Sequence, residues 1–430
     1  MFATAANPAF LQQVTRPTSG WRYPYYAGAL HEAPLGTPVA DQPPALLRTN
    51  PWRGLGRRLL AAGYVEWQYY AIVARAFHGI VGLALVNPGQ HFPGLAEGGL
   101  LVIVTGVGEG VYPQAASAVA GDLPALTWMQ LFPPDSLQFA GDQWQYLRAE
   151  YAGHRLWLEQ TTPAQATLQL TTDCGLFLRM THCGLAGRAL APVTANDLRR
   201  TPGGHWTVHC PSPVAVTTGE LHLAPRMAQT LNGKAGGDTS RYASSTILKR
   251  LAQGPVEFSW QNASGYYEHS FGSQPLPLFG WDFLFVPDAE QGSAVVLQTY
   301  RGSRQLRYVE VCWLQAGEVR YQRFGAREIR LSWQASQSDP LTGVRLPTRR
   351  RVVAANAELR LELDNRIVRQ LPLLRPQKWA VRHFFISEQI GVTDWRLTTA
   401  DGHLLASGSN QLCGGELAHF RWRVPRSRSV

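Results

Sequence analysis

The sequence lacks several features that would assign it to a common class of protein. It contains no run of about 18 consecutive apolar residues, so we expect no transmembrane helix. Its first residues, MFATAANPAFLQQ, have neither the basic stretch nor the apolar core of a signal peptide, so we expect no secretory signal. Only five of its 430 residues are cysteine and no CxxC pair occurs, which favours a reduced, cytoplasmic protein.

Helical periodicity is also scarce. The segment STILKRLAQG at 245–254 predicts one short helix that ends on a glycine. Elsewhere apolar and polar residues alternate, as in AREIRLSW and AELRLELD, which is typical of half-buried antiparallel strands. WRLTTADGHLLASG predicts a hairpin across Asp401-Gly402. The chain is therefore predicted to be all-β, folded as sandwiches or barrels because so many strands do not form one flat sheet.

A proline-rich interruption, PLPLFG at 275–280, predicts a domain boundary. We expect an N-terminal domain over 1–278 and a C-terminal domain over 279–430. Residues 1–60 and 88–152 are rich in Pro, Gly and aromatic residues without clear periodicity, so we expect long loops there.

The charge is unbalanced, because 40 Lys and Arg stand against 30 Asp and Glu and give a formal net charge of +10. Such a surface attracts nucleic acid, anionic lipid or an acidic partner. No helix-turn-helix, zinc-finger or RNP-like pattern accompanies the charge, so we expect no nucleic-acid partner. Peripheral contact with an anionic membrane is compatible with this charge. Nothing in the sequence points to an obligate protein partner.

Two patterns that could hold a cofactor are incomplete. The glycines of TGVGEGVYP at 105–113 are spaced GxGxG, and Pro113 follows instead of a helix, which predicts a turn after a strand at 99–105. His205 and His209 are four residues apart, but no further ligands have the spacing of a zinc site. We expect no cofactor and no metal.

Aromatic residues are abundant, with 14 Trp, 15 Tyr and 16 Phe, and many of them fall in predicted strands. Core packing accounts for most of them. An aromatic-lined barrel cavity for a large apolar ligand would have the same composition. Composition alone is compatible with both interpretations.

Four segments occur in a fixed order along the chain: YVEWQYYAIVA (64–74), RYASSTILKRLAQGPVEF (241–258), GYYEHSFG (265–272) and GWDFLFV (280–286). In this order they resemble the carotenoid 1,2-hydratase (hydroxyneurosporene synthase) and AttH-like family. The first resembles the Glu-Trp-aromatic strand of that family, the second its Ser/Tyr-rich stretch, the third its acid-His-aromatic-Gly motif and the last its Gly-Trp-Asp strand. Gln68 and Phe271 depart from the family pattern, which usually has an aromatic residue and Trp there.

The resemblance implies two lipocalin-like antiparallel β-barrel domains in tandem, with few short helices and a pocket near their junction. It also implies a hydrophobic small-molecule substrate. Members of the family hydrate a terminal carotenoid double bond, relatives in secondary metabolism assist cyclisations such as Diels–Alder reactions, and more distant relatives resemble lipid carriers.

Acidic residues in these motifs are the candidate catalytic groups. A carboxyl in an apolar pocket has a raised pKa, so it can protonate a C=C bond at physiological pH, and surrounding rings stabilise the resulting cation. The candidate acids are Glu66, Glu268 and Asp282, with His269 as the group that orients the acid or acts as base toward water. A structural role is the alternative for three of these residues. Glu268 and His269 would then join the two barrels by binding backbone groups, and Asp282 would cap a turn. The candidate substrate-binding residues are Trp67, Tyr69, Tyr242 and Trp281.

Three functions remain open from the sequence. The leading hypothesis is an enzyme of isoprenoid, polyene or secondary metabolism that performs acid-assisted cyclisation or hydration of a C=C bond. The second is a pericyclase that folds its substrate by shape alone. The third is a non-catalytic carrier of a lipid or carotenoid. A buried carboxyl in the largest cavity would favour the first.

Overall fold

The structure is a computed structural model of the 430-residue chain. Several internal segments and both ends of the chain lie outside the part it describes. The expected loops at 1–60 and the linker residues 274–279 belong to these segments. The structure describes residues 64–86, 99–108, 123–140, 146–162, 164–185, 188–195, 205–231, 241–273, 280–300, 303–338, 345–374 and 383–421.

Two large antiparallel sheets follow each other along the chain. The first sheet contains β1 (Tyr64–Val73), β2 (Phe77–Val86), β3 (Gly99–Gly108), β4 (Ala125–Phe132), β5 (Leu137–Ala140), β6 (Tyr146–Tyr151), β7 (His154–Thr162), β8 (Gln165–Thr171), β9 (Leu176–Gly184), β10 (Leu190–Ala195), β11 (His205–Leu223), β12 (Arg241–Ala243) and β13 (Val256–Ser273).

The second sheet has nine strands. It contains β14 (Trp281–Asp288), β15 (Ser293–Tyr300), β16 (Arg307–Gln315), β17 (Glu318–Phe324), β18 (Ile329–Ser338), β19 (Arg345–Ala355), β20 (Leu359–Leu374), β21 (His383–Thr399) and β22 (Leu404–Arg421). Helices are few and short among the described residues: a 3-10 turn over Pro134–Ser136, α1 (Met227–Leu231) and α2 (Ser245–Gln253).

Each sheet curls around its own core. The first sheet has the strand order β12-β4-β3-β2-β1-β13-β11-β9-β8-β7-β6-β5, with β10 beside β11, and the second has the order β17-β16-β15-β14-β22-β21-β20-β19-β18. Side chains from strands far apart in the first sheet, such as Trp128 of β4 and Leu147 of β6, pack into one cluster. Val309 of β16 and Val352 of β19 do the same in the second sheet. This packing requires both sheets to bend, as barrels do.

A third apolar cluster lies between the two sheets. Tyr69 and Tyr266 of the first sheet pack there against Phe283 and Phe285 of the second. The rings of Tyr266 and Phe285 are stacked with centroids 4.6 Å apart. Strands β1 and β14 and the second half of β13 are therefore buried on both faces, one toward their own core and one toward the other sheet.

The predicted all-β class, with two barrel-like antiparallel sheets in succession and few short helices, is confirmed. The predicted hairpin joins β21 to β22, and Gly402 has the positive φ of 94° that such a turn requires of one residue. The predicted helix is α2, which Ser244 caps by accepting a hydrogen bond from the Ile247 amide. The domain boundary after residue 278 stays a prediction.

Two local expectations were wrong. The region 88–152 is not only loop, because β4, β5 and β6 lie within it. In β4 both faces are largely buried, so its sequence ALTWMQLF shows no alternation to detect. The strand β3 also continues through Gly106 and Gly108 instead of turning at 105. A side chain at Gly108 would collide with the ring of Phe258, which explains the glycine there.

Among the described residues, no helix is long and apolar enough to cross a membrane.

Candidate active site

Strands β1 and β13 pair side by side and carry most of the predicted site residues. Their register places Gln68 opposite His269 and Tyr69 opposite Glu268. Because successive side chains of a strand point to opposite faces, Glu268 and His269 cannot face the same way. Two separate polar sites result, one inside the first sheet and one between the sheets.

The site inside the first sheet is a buried carboxyl–imidazole pair. The Nε2 atom of His269 lies 2.7 Å from Oε1 of Glu66, and the Glu66 side chain has no exposed surface. The rings of Tyr70 and Tyr267 stack at 4.5 Å beside it, and His182 packs edge-on against both. Burial lowers the pKa of His182 to about 3, so this imidazole is neutral. The cluster is dense and lies within the first core.

The site between the sheets surrounds a small cavity of about 70 Å³. Its walls come from both sheets, and rings make up most of them. Its lining residues are Val65, Trp67, Tyr69, Trp206, Glu268, Ser270, Trp281, Phe283, Gln298, Tyr300, Ile386 and Glu416. We call this space the junction cavity. An aromatic wall interrupted by a few polar groups is the usual composition of a small-molecule site.

Three buried carboxyls stand at the junction cavity or directly behind it. Glu268 accepts hydrogen bonds from the Ser270 hydroxyl at 2.6 Å and from the Tyr266 hydroxyl at 2.8 Å. Glu416 accepts one from the indole N–H of Trp281 at 2.5 Å, through its Oε1 atom. Glu388, the partner of Glu416 across β21 and β22, accepts one from the Tyr69 hydroxyl.

In the part of the chain that the structure describes, neither Glu268, Glu388 nor Glu416 forms an ion pair. The Oε2 atoms of Glu388 and Glu416 also have no hydrogen-bond partner among the described residues. A buried carboxylate without counter-ion is costly, so each group favours its neutral form.

Burial accordingly raises the pKa of all three acids. The pKa of Glu416 rises to about 8, with nearby Glu268 adding to the effect and the Trp281 hydrogen bond opposing it. The pKa of Glu388 is raised well above its ordinary value by burial and by the proximity of Glu416. Burial also raises the pKa of Glu268, against the hydrogen bonds from Ser270 and Tyr266. Glu416 is therefore protonated at neutral pH.

A second cavity of about 650 Å³ opens at one end of the second sheet. Its lining residues are Trp281, Asp282, Thr299, Tyr300, Ser303, Arg304, Arg307, Ala326, Arg327, Leu331, Trp333 and Leu417. We call this space the arginine cavity. The stacked rings of Trp281 and Tyr300, with centroids 5.9 Å apart, line both this cavity and the junction cavity.

Asp282 of the arginine cavity forms a buried ion pair. Its Oδ1 lies 3.1 Å from Nη2 of Arg350, whose side chain has no exposed surface. The guanidinium of Arg350 also donates to the Phe283 carbonyl and to Gln389, and it lies over the Trp333 ring at 4.7 Å. This pair links β14, β19 and β21, which gives Asp282 a structural position as well as a place in the cavity wall.

The structure thus distributes the predicted residues over four places. Trp67, Tyr69, Glu268 and Trp281 line the junction cavity. The Glu66–His269 pair lies inside the first sheet, and Asp282 lies in the arginine cavity. Tyr242 lies in β12, where its backbone pairs with Thr127 of β4. The side chain of Tyr242 lies outside the described part. The roles of all these residues stay predictions.

The sequence interpretation missed Glu388 and Glu416. Each is a single acid within a strand that is otherwise uncharged at its centre, in FFISEQIGV and LCGGELAHF. No spacing motif marks either one. The available signal is the occurrence of one acid among uncharged residues at the centre of a strand. A lone carboxyl in a strand buried on both faces must be neutral or paired.

One group of side chains has the residue types of a metal site. Ligand atoms of His154, Asp173 and Cys174 lie within 4.8 Å of one another. His154 Nδ1 is 3.2 Å from Asp173, and Cys174 Sγ is 3.1 Å from the Thr172 hydroxyl. The group offers three ligands where a structural zinc ion takes four, and it lines neither cavity.

Chemically, the junction cavity combines an apolar chamber with neutral acids. A carboxyl that is protonated at neutral pH can donate a proton or a hydrogen bond to a bound molecule. The ring faces of Trp67, Trp281 and Tyr300 can stabilise positive charge on that molecule, because aromatic faces attract cations.

No family model matches the sequence, and no curated protein matches it either. Solved structures that are similar to this chain include an AttH-like protein from Nitrosomonas europaea, with 11% identity over 82% of this chain and 92% of that chain and a TM-score of 0.42. They include the structure of CghA with Sch210972, with 12% identity over 83% and 88% and a TM-score of 0.49. They also include kievitone hydratase from Nectria haematococca, with 7% identity over 83% and 89% and a TM-score of 0.44.

Proposed function

We propose that the protein is an enzyme that binds an apolar small molecule in the junction cavity and catalyses acid-assisted cyclisation or hydration of a C=C bond. The observation that carries this proposal is the Glu416 carboxyl, which lines an aromatic cavity, has no counter-ion among the described residues and has a pKa of about 8. An acid whose pKa lies near the working pH is suited to general acid catalysis.

Glu416 is a better proton donor than Glu268. Both oxygens of Glu268 accept hydrogen bonds from hydroxyls, which stabilise its anionic form. Glu416 accepts only through Oε1, so its Oε2 can carry the proton. After proton transfer, the Trp281 N–H stabilises the carboxylate that forms.

Both alternatives, hydration and cyclisation, balance in atoms and charge. The Glu416 proton goes to one carbon of the C=C bond, and the cation forms on the other carbon between the aromatic walls. In hydration, water attacks the cation and its proton returns to Glu416, so the product gains one water. In cyclisation, a second C=C bond attacks, a neighbouring carbon loses a proton to the Glu416 carboxylate, and the composition is unchanged.

The cavity size constrains how the substrate binds. Drug-sized ligands usually occupy about 300–1,000 Å³, so the junction cavity holds only the reacting end of a larger molecule. Trp281 and Tyr300 border both cavities, so the remainder of the substrate extends toward the arginine cavity. Mass spectrometry of material extracted from the purified protein would identify this molecule.

Incubation with isoprenoid and polyene compounds in D₂O tests the chemistry. A product that gains deuterium on carbon, with or without added D₂O, supports acid catalysis. We expect Glu416→Gln to reduce its formation by about 100-fold, the lower scale of general-acid effects, with little change in binding. Glu310→Gln is the matched control, since Glu310 is buried beside Arg323 outside the cavity.

The outcomes separate the candidate functions. Conversion without deuterium on carbon, insensitive to Glu416→Gln and sensitive to the bulk of a cavity residue, would identify a pericyclase that works by shape. The neutral hydrogen-bond donors among the rings favour this alternative. Tight binding of an apolar compound without any conversion would identify a carrier and contradict the proposal.

A further inference from the structure

The arginine cavity has a composition that the proposed acid chemistry does not require. Its volume of about 650 Å³ is in the range of a small-molecule site. Its apolar surface includes Leu331, Leu417 and Trp333, and the side chain of Trp333 is 38% exposed. A partly exposed indole in a concave surface is a contact point for a ligand.

Arginines concentrate around this apolar surface. Arg304, Arg307 and Arg327 line the cavity and are exposed. Arg307 and Arg327 form no ion pair with any described residue. The one acid of the lining, Asp282, is paired with Arg350 beneath the surface. The cavity therefore presents an excess of positive charge next to an apolar wall.

Arg304 and Arg327 lie in connections between strands, and Arg307 begins β16. Hydrogen bonds brace the described parts of both connections. In the connection from β15 to β16, the Leu306 amide donates to the Ser303 hydroxyl at 3.1 Å. In the turn from β17 to β18, the Gly325 amide donates to the Glu328 carboxylate at 2.6 Å. Loops fixed in this way lose less conformational entropy when a ligand binds.

We propose that the arginine cavity binds the anionic end, a carboxylate or a phosphate, of an amphipathic small molecule whose apolar part reaches the Trp281–Tyr300 pair. A guanidinium matches both anions with two parallel hydrogen bonds. The apolar part follows the wall formed by Leu331, Leu417 and Trp333. The proposal deepens the proposed function, on which it rests for the claim that this molecule is the substrate.

Calorimetric titration with ten-carbon probes tests the anion site without any turnover. Decanoate and decyl phosphate carry the two anions, and decanol is the neutral probe. We expect the anionic probes to bind at least about tenfold more tightly than decanol, since a hydrogen bond to a charged group is worth that factor. Raising the ionic strength from about 0.05 to about 0.5 M should weaken only the anionic probes.

The variants make the assignment specific. The double substitution Arg307→Ala with Arg327→Ala should weaken decanoate binding by about tenfold or more and leave decanol binding unchanged. Arg330→Ala is the matched control, because Arg330 is an exposed arginine of β18 that does not line the cavity. Equal binding of decanoate and decanol, or an equal loss in Arg330→Ala, would overturn the proposal.

Three further outcomes separate the anion site from membrane binding and from the proposed acid catalysis. If phosphatidylglycerol vesicles bind through these arginines while free decanoate and decyl phosphate do not, the site recognises a membrane surface and the proposal is wrong. If the anion preference is absent while turnover still depends on Glu416, only the anionic substrate class fails. If the preference holds while turnover is independent of Glu416, the anion site stands and acid catalysis fails.

Discussion

The two faces of the strand pair β1 and β13 present opposite electrostatic environments only one residue apart. Inside the first sheet, the Glu66 carboxylate contacts the His269 imidazole at 2.7 Å. Toward the second sheet, Glu268 faces a cavity that it shares with Glu416, and neither acid has an ion pair with a described residue. Both environments are buried, so what distinguishes them is the direct contact of the Glu66 carboxyl with a basic side chain.

This difference separates a structural use of buried charge from a reactive one. A paired carboxylate stays ionised, and removal of either partner leaves an uncompensated buried group. An unpaired carboxyl becomes neutral, keeps its proton at physiological pH and can exchange it with a bound molecule. On this comparison we propose that the Glu66–His269 pair stabilises the first sheet and that protons move in the junction cavity.

The largest expected effect is the stability change when each acid is replaced by its amide at neutral pH. Glu66→Gln should lower the free energy of unfolding by about 3 kcal/mol, because it breaks a buried pair. Glu416→Gln should raise it, because the unfolded chain gains by ionising Glu416 at neutral pH and the folded protein does not. Urea unfolding followed by tryptophan fluorescence measures both.

Equal destabilisation by Glu66→Gln and Glu416→Gln would contradict the proposed difference between the two faces of β1 and β13. Glu310→Gln is a useful third variant, since Glu310 is buried but contacts the guanidinium of Arg323 at 2.6 Å, and Arg323 is partly exposed. Its effect should fall between the other two, because solvent can compensate the arginine that remains.

Part of this arrangement could be predicted from the sequence. Alternation identified the half-buried strands, and Asp401-Gly402 identified a hairpin. The same period-2 rule, applied to YYEHSF, already places Glu268 and His269 on opposite faces, although the two residues were first interpreted together as one site. Trp67, Tyr69 and Trp281 were named as cavity residues and do line the junction cavity.

The remainder depends on contacts between residues distant in sequence. Glu416 lies in the cavity because β22 pairs with β14, and Glu388 lies beside it because β21 pairs with β22. No local pattern encodes which strands become neighbours across a curled sheet. Strand β4 escaped detection for a related reason, since burial on both of its faces removes the alternation that marks a strand.

The pH dependence of stability sharpens the comparison. Glu416 has a pKa of about 8 in the folded protein against 4.5 as its ordinary value, so the folded state holds the extra proton between these pH values. Its contribution to stability is complete below pH 4.5 and is lost as the pH rises toward 8, by about 1.4 kcal/mol per pH unit. Glu416→Gln should remove this part of the slope.

Inside the first sheet, His182 should give stability the opposite dependence on pH. His182 has a pKa of about 3 against an ordinary value of 6.5, so the unfolded state binds the extra proton between these values. Stability due to His182 is therefore lost as the pH falls from 6.5 toward 3, and His182→Gln should reduce that loss. Unfolding midpoints measured from pH 3 to 6.5 and from pH 4.5 to 8 test the two predictions. Identical pH profiles for both variants and the native chain would contradict them.

The smallest expected effect concerns the hydrogen bond that Trp281 donates to Glu416. Trp281→Phe keeps an aromatic ring in the cavity and removes the indole N–H, which favours the ionised form of Glu416. The pKa of Glu416 should therefore rise further, by up to about one unit, the scale of one hydrogen bond to a charged group. The upper end of the pH-dependent loss of stability should move to higher pH by the same amount.

In the double variant with Glu416→Gln no titrating carboxyl remains at this position, so Trp281→Phe should produce no shift there. A shift that persists in the double variant would mean that Trp281 acts through packing against Tyr300 and not through the proton on Glu416.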